Sequence, residues 1–211
     1  MDANLQRNYK SRAKRVLKNL EKNNFSASFV DTKEEALTLV KSLIDKDSIT
    51  AVGGSATLNE CGITEFLKNE TNFKPDYMDA YSADFYLSSA NAITEHGEIY
   101  QVDGRSNRIS AISFGPKKVI LVVGMNKVVR TLRNAVERVK EIAAPTNTVR
   151  LCKDTPCAKA GICVNPSCST DSLMAMGCDS DDRICCNTLI MSKQRDKGRV
   201  IVILVGEDCG Y

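Results

Sequence analysis

The sequence predicts an α/β fold, and three observations carry that expectation. Two apolar runs of strand length, Val119 to Val123 and Val200 to Val205, have no polar alternation, as strands covered on both faces require. Strand-like segments alternate with segments of helical period, the pattern of a sheet that is at least partly parallel. One strand-like run, Ile49 to Val52, passes straight into Gly53, Gly54 and Ser55 before a helical stretch, a strand–glycine turn–helix unit.

The elements follow in chain order. Leu5, Tyr9, Ala13, Val16, Leu17 and Leu20 recur at helical spacing and define a first amphipathic helix. Ser26 to Val30 reads as a strand. Thr32 followed by Glu35 makes a capping box, opening a helix to about Ile44. After the glycine turn, Ala56 to Glu60 and Gly62 to Lys68 read as helical. Beyond Pro75, Ala83 to Ser89 and Asn91 to Thr94 are short segments, and Glu98 to Val102 alternates after the His96-Gly97 turn, which predicts a hairpin. Asp103-Gly104 closes that strand, Ser106 to Phe114 is expected helical, and Lys118 to Val123 is a buried strand ending at Gly124. A long helix is expected over Lys127 to Ile142, with Val128, Leu132, Ala135, Val136 and Val139 on one face and Pro145 ending it. From about 150 to 197 the composition turns to Cys, Pro, Gly, Ser and Asp. This region is an irregular Cys-rich excursion before the last strand, within a single domain spanning 1–211.

A chain of 211 residues with 43% apolar content can fill a core without disulfides. Lys and Arg number 29 against 26 Asp and Glu, so no global field marks a nucleic-acid binder. The local basic run, Arg7 to Lys22, is the solvated face of the first helix. Neither a signal peptide nor an apolar stretch long enough to span a membrane is present, which predicts a cytoplasmic protein. In a reducing compartment nine cysteines, an odd number, favour metal binding or redox chemistry over a disulfide framework.

Chemistry is expected at three places. Cys157, Cys163, Cys178 and Cys185 lie among turn-forming residues in a C-x5-C-x14-C-x6-C pattern, and four thiolates can hold zinc or an iron–sulfur cluster. The spacing selects neither, and Cys168 in the long gap is an alternative ligand. Gly53, Gly54 and Ser55 either cradle an anion or form an ordinary turn with Ser55 as a helix cap. Glu95 is a candidate general base or nucleophile if its turn lies at the carboxyl ends of the strands, and otherwise a surface salt-bridge partner. Downstream, Asn107 and Arg108 are candidate ligand-binding residues, with Arg108 suited to a carboxylate or phosphate.

The stretches VGGSATLNECGI, SANAITEHGEIYQVDGRSNRISAISFGPKKVILVVGMNKVV, APTNTVRLCKDTPCAKAGIC and RVIVILVGEDCGY resemble the LUD domain family of lactate-utilisation proteins, in its single-domain, cysteine-bearing branch. The resemblance covers nearly the whole chain. It implies a Rossmann-like sheet flanked by helices, similar to the superfamily of glucosamine-phosphate deaminase, ribose-phosphate isomerase and CoA-transferases. In that superfamily the glycine turn meets anionic ligands, which would place a small carboxylate or phosphate at Gly53, Gly54 and Ser55. Lactate-utilisation proteins act beside iron–sulfur oxidoreductase subunits, which favours a cluster over zinc. The chain departs from the family pattern by inserting VNPSCSTDSLMAMG between Cys163 and Cys178, leaving Cys168 or Cys178 as the third ligand. The expected function is an accessory or redox subunit in lactate utilisation. The alternatives are a small-molecule enzyme of acyl-transfer or isomerase type with a structural metal, and a non-catalytic binding or regulatory module.

Overall fold

Strand alternation resolves the two faces of the central sheet. In β7 (Lys118–Gly124), Val119, Leu121 and Val123 join the apolar cluster under the first helix, whereas Ile120 and Val122 join a second cluster on the opposite face. β10 (Val200–Val205) divides the same way, with Val202 and Leu204 on one side and Ile203 and Val205 on the other. The computed structural model describes residues 2–165 and 177–211. Its main sheet has six parallel strands. These are β1 (Ser26–Val30), β2 (Ile49–Val52), β3 (Asn72–Phe73), β4 (Phe85–Ser88), β7 and β10, in the order β1-β10-β7-β4-β2-β3.

One face is covered by α1 (Ala3–Lys22), which buries Tyr9, Ala13, Val16 and Leu20 at helical spacing and is capped by the Asp2 carboxylate. α5 (Asn107–Ser113) adds Ala111 and Ile112 to the same cluster. The other face is covered by α2 (Lys33–Leu43), α3 (Ala56–Glu60) and α4 (Ile63–Glu70). At the start of α2, Thr32 Oγ1 accepts the Glu35 N–H at 3.2 Å, and the Glu35 carboxylate reaches back to the Asp31 N–H at 2.7 Å. The architecture is the Rossmann-like α/β sheet that the sequence predicts.

A second, four-stranded sheet goes beyond the hairpin that the sequence predicts. It comprises β5 (Ala92–Thr94), β6 (Ile99–Asp103), β8 (Val128–Val129) and β9 (Asn187–Met191), in the order β8-β5-β6-β9. β5 and β6 form the expected hairpin. β9 pairs antiparallel with β6, so the Cys-rich region contributes a strand to the body of the protein.

The long helix after β7 differs from expectation at both ends. Lys127 lies in a 3₁₀ turn, and the β-branched pair Val128–Val129 extends alongside β5, so the helix begins only at Leu132 behind the Thr131 cap. α6 (Leu132–Arg138) then passes through a π-helical turn (Val139–Ala143) into α7 (Ala144–Arg150). Pro145 therefore does not end the helix. The π turn shifts the hydrogen-bond register just before it, so the proline, which has no N–H to give, enters at the first turn of α7 where none is needed. α8 (Pro156–Ala160) follows, inside the region expected to be irregular.

Candidate functional site

The carboxyl ends of β2, β4 and β7 open onto a cavity of about 540 Å³, the position at which open α/β sheets bind ligands. Its walls are the glycine turn after β2, the Ser89–Asn91 segment after β4, the loop from β6 into α5, and residues of α7 and the Cys-rich region.

At the glycine turn, Gly54 and Ser55 face the cavity. Gly53 sits behind them. Its N–H donates to Leu87 O at 2.9 Å, prolonging the β2–β4 ladder, and a Cβ there would collide with the Tyr86 hydroxyl and lie 3.0 Å from Arg108 Cγ. Gly54 has open space where a Cβ would be. Ser55 caps α3, its Oγ accepting the Leu58 N–H at 3.2 Å.

The opposite wall is organised by Asp103, which is buried at the end of β6. One carboxylate oxygen accepts the N–H groups of Arg105 and Ser106 at 2.9 and 3.0 Å; the other accepts those of Arg108 and Ile109 at 2.9 and 3.2 Å. Ser106, with φ of 63°, provides no side-chain cap of its own to α5. Asn107 and Arg108 both line the cavity. The Arg108 guanidinium donates to Asn91 Oδ1 at 2.9 Å and to Val102 O at 2.6 Å, and burial lowers its pKa.

Lys127, expected from the sequence at the start of a helix, is the buried cation of this cavity, only 2% exposed. Its Nζ donates to Thr57 Oγ1 at 2.7 Å and to Ser89 Oγ at 3.2 Å. Among the described residues no carboxylate forms an ion pair with it. Burial pushes its pKa down to about 8; the neighbouring charges of Arg138 and Arg108 push the same way, and Cys209 and Glu60 oppose them. Tyr211 lies on the same cavity, and among the described residues its buried hydroxyl has no hydrogen-bond partner. Farther out, Arg105, Arg150, Lys153 and Arg183 line the rim, with Asp181 and Asp182 between them. Lys153 is paired to Asp182 at 2.9 Å.

Glu95 stands apart from this cavity. It occupies the β5–β6 turn and faces α1, where its carboxylate meets Arg12 Nε at 3.0 Å and an Arg15 nitrogen at 3.5 Å. Burial pushes its pKa up, but the Arg12 hydrogen bond and the two guanidinium charges outweigh it and leave the carboxyl below its ordinary range. The arrangement is that of a salt-bridge partner fastening the hairpin to α1.

The cysteines share a neighbourhood rather than a coordination sphere. The Cys163 N–H donates to Lys140 O at 2.9 Å, and Cys185 Sγ is 3.6 Å from Lys140 Nζ. Arg183 donates to the carbonyls of both Cys178 and Cys185, at 3.4 and 3.0 Å. Cys157 Sγ lies 3.2 Å from Thr155 Oγ1 and 3.7 Å from Thr148 Oγ1. Among the described residues, no three His, Cys, Asp or Glu side chains converge so as to hold a metal ion. Cys168 lies outside the described residues. As placed, the described thiols do not fit a zinc ion or a cluster.

No helix among the described residues is long and apolar enough to cross a membrane. No functionally curated protein matches the sequence. The fold is similar to the crystal structure of a DUF162 family protein from Deinococcus radiodurans, with a TM-score of 0.54 at 14% identity, covering 93% of this chain and 97% of that one. The sequence matches the family model of the LUD domain over residues 13–205, and the chain accordingly belongs to the LUD domain family.

Proposed function

We propose that this LUD protein binds a small carboxylate or phosphate in the cavity at the carboxyl ends of β2, β4 and β7, and that it serves in the cytoplasm as an accessory component of lactate utilisation beside iron–sulfur oxidoreductase subunits. The observation that carries the reading is Lys127, a buried ammonium held by two hydroxyls and facing a cavity without a carboxylate partner. Burying an unpaired charge is costly, and an anionic ligand offsets that cost. Arg108 and the rim cations raise the local concentration of anions at the mouth. Gly54 and Ser55 supply the close backbone approach on one wall, and Asn107 flanks the other.

Thermal unfolding of the full chain with L-lactate, pyruvate or inorganic phosphate tests the reading. A ligand that binds only the folded state stabilises it by mass action, by about 2.7 kcal/mol at a hundredfold excess over Kd, and so raises the midpoint. At least one of the three is expected to stabilise the wild type and to lose most of its effect with Lys127→Met. Indifference of the wild type to all three would remove the anion assignment.

A second reading follows the thiols. The Cys163 N–H meets the Lys140 carbonyl and Cys185 Sγ its Nζ, and the carbonyls of Cys178 and Cys185 share Arg183, so contacts through Lys140 and Arg183 link three of the four cysteines of the principal pattern. Rotation of these side chains toward one another would be required for zinc or an iron–sulfur cluster. Iron, sulfide and zinc analysis of anaerobically purified protein, compared with Cys163→Ser and Cys185→Ser, tests it; metal content equal in all three would discard these ligands.

A further inference from the structure

We propose that Lys127 is a covalent catalyst, forming an imine with the carbonyl carbon of a small 2-oxo acid held in the cavity. The inference deepens the anion-binding reading and rests on it, since the carboxylate end of such a ligand is what the cationic rim would attract.

Three features of the site set Lys127 apart from a lysine that merely neutralises charge. Its hydrogen-bond partners are Thr57 Oγ1 and Ser89 Oγ, neutral groups that tolerate the free amine as well as the ammonium. Thr57 Oγ1 is itself fixed, donating to Cys209 O at 3.1 Å, so the amine is held in one position. The surroundings disfavour the ammonium: burial does most, and the guanidiniums of Arg138 and Arg108 act the same way, the former fixed to Asn126 O and Asn91 O at 3.1 and 2.7 Å. Glu60 and Cys209 are the opposing groups, and Glu60 is engaged instead with Lys33 at 3.6 Å and the Gly210 N–H at 3.0 Å.

The backbone beside the nitrogen is a glycine. Gly210 passes beside it, and a Cβ there would stand 3.0 Å from Nζ and collide with Thr57. A buried lysine amine is the recurring form of an imine-forming nucleophile.

The step balances without an oxidant or reductant. The Lys127 amine lone pair attacks the carbonyl carbon, forming the C–N bond. The two amine hydrogens are transferred to the former carbonyl oxygen, and as the C–O bond breaks and water leaves, the nitrogen lone pair forms the second C–N bond of the imine. The Ser89 and Thr57 hydroxyls stand at hydrogen-bond distance to move protons from the nitrogen. The Tyr211 hydroxyl, buried on the same cavity without a partner among the described residues, is a further group that a ligand oxygen would satisfy. The product is an electron-withdrawing centre at C2, beside the C3 carbon bearing the ligand's hydrogens, as loss of a C3 proton to form an enamine requires.

The experiment treats the wild-type full chain with pyruvate and sodium borohydride, followed by intact-protein mass measurement and peptide mapping. L-lactate, which has no carbonyl, is the parallel control. The expected result is a single reduced adduct mapping to Lys127 in most molecules with pyruvate and none with L-lactate. Lys127→Arg, which keeps a cation in place, is expected to lose the adduct; the wild-type mapping stands even if that variant fails to fold. Pyruvate that stabilises the protein but leaves no adduct at Lys127, or adducts scattered over exposed lysines, would overturn the imine and leave anion binding intact. Absence of the adduct together with indifference to pyruvate, L-lactate and phosphate alike would overturn both.

Discussion

Lys127 shows why the buried cation of the cavity is hard to see in the sequence. In GMNKVV a lysine next to two valines fits the beginning of an amphipathic helix, whereas the valines in fact form β8 and turn the lysine inward. Gly53, Gly54 and Ser55 are legible because a glycine pair directly after a buried strand marks a turn where the backbone must be approached closely, although at Gly53 the close neighbour proves to be Tyr86. The burial of Lys127 has a consequence for stability. Its pKa is about 8 in the folded protein against 10.5 ordinarily, so between those values the unfolded chain holds a proton that the folded one has released. Stability must then rise with pH across that window, and the penalty is fully felt below about pH 8. Relative to Lys127→Met, the wild type is expected to gain about 2 kcal/mol between about pH 7 and about pH 10. Urea unfolding of both proteins at the two pH values measures it, and taking the difference cancels groups common to both, such as Tyr9, whose phenol burial pushes up to about 12.

At the level of elements, the hairpin and the helix that follows it are readable from turn residues, but the device joining them is not. In sequence Asp103 is a strand-closing Asp-Gly, and in the structure it gathers four backbone N–H groups to start α5. The reason lies in Ser106, whose left-handed backbone leaves the helix without a local cap. Asp103→Ala should therefore strip a whole helix start of its acceptor. The expected loss is about 2–4 kcal/mol, from an absent cap and from buried hydrogen bonds to a charged group. Asp103→Asn keeps one of the two acceptor oxygens but sets an amide NH2 against the other two N–H groups, so it should recover only part of that loss. Denaturant midpoints distinguish the two, and because Asn107 and Arg108 ride on the same helix, the alanine variant should also weaken anion-induced stabilisation. The π turn before Pro145 belongs to the same class of feature: apolar period and a proline predict a stop, and a change of hydrogen-bond register removes the need for one.

For the molecule as a whole, the main sheet is legible because strands such as Val119–Val123 and Val200–Val205 are apolar on both faces, and only a covered parallel sheet accommodates that. The second sheet is not, because β8 and β9 are short or half-exposed and join β5 and β6 only through tertiary pairing. Charge behaves likewise. A formal net charge of +3 suggests no strong field, yet the fold gathers Arg105, Arg108, Lys127, Arg150, Lys153 and Arg183 around one cavity against Asp103, Asp181 and Asp182. The deep cation and the exposed ones should respond differently to salt. At about 0.5 M salt the screening length is only a few ångströms, which silences the rim, whereas a contact buried at Lys127 is screened far less. Phosphate carries more charge than pyruvate and draws more on the rim. Between about 0.05 and about 0.5 M sodium chloride, the stabilisation by phosphate is expected to fall several-fold and that by pyruvate to fall less. Ligand titrations followed by thermal unfolding at both salt concentrations measure the two slopes. Equal slopes would mean that the rim cations found in the fold do not act on the ligand.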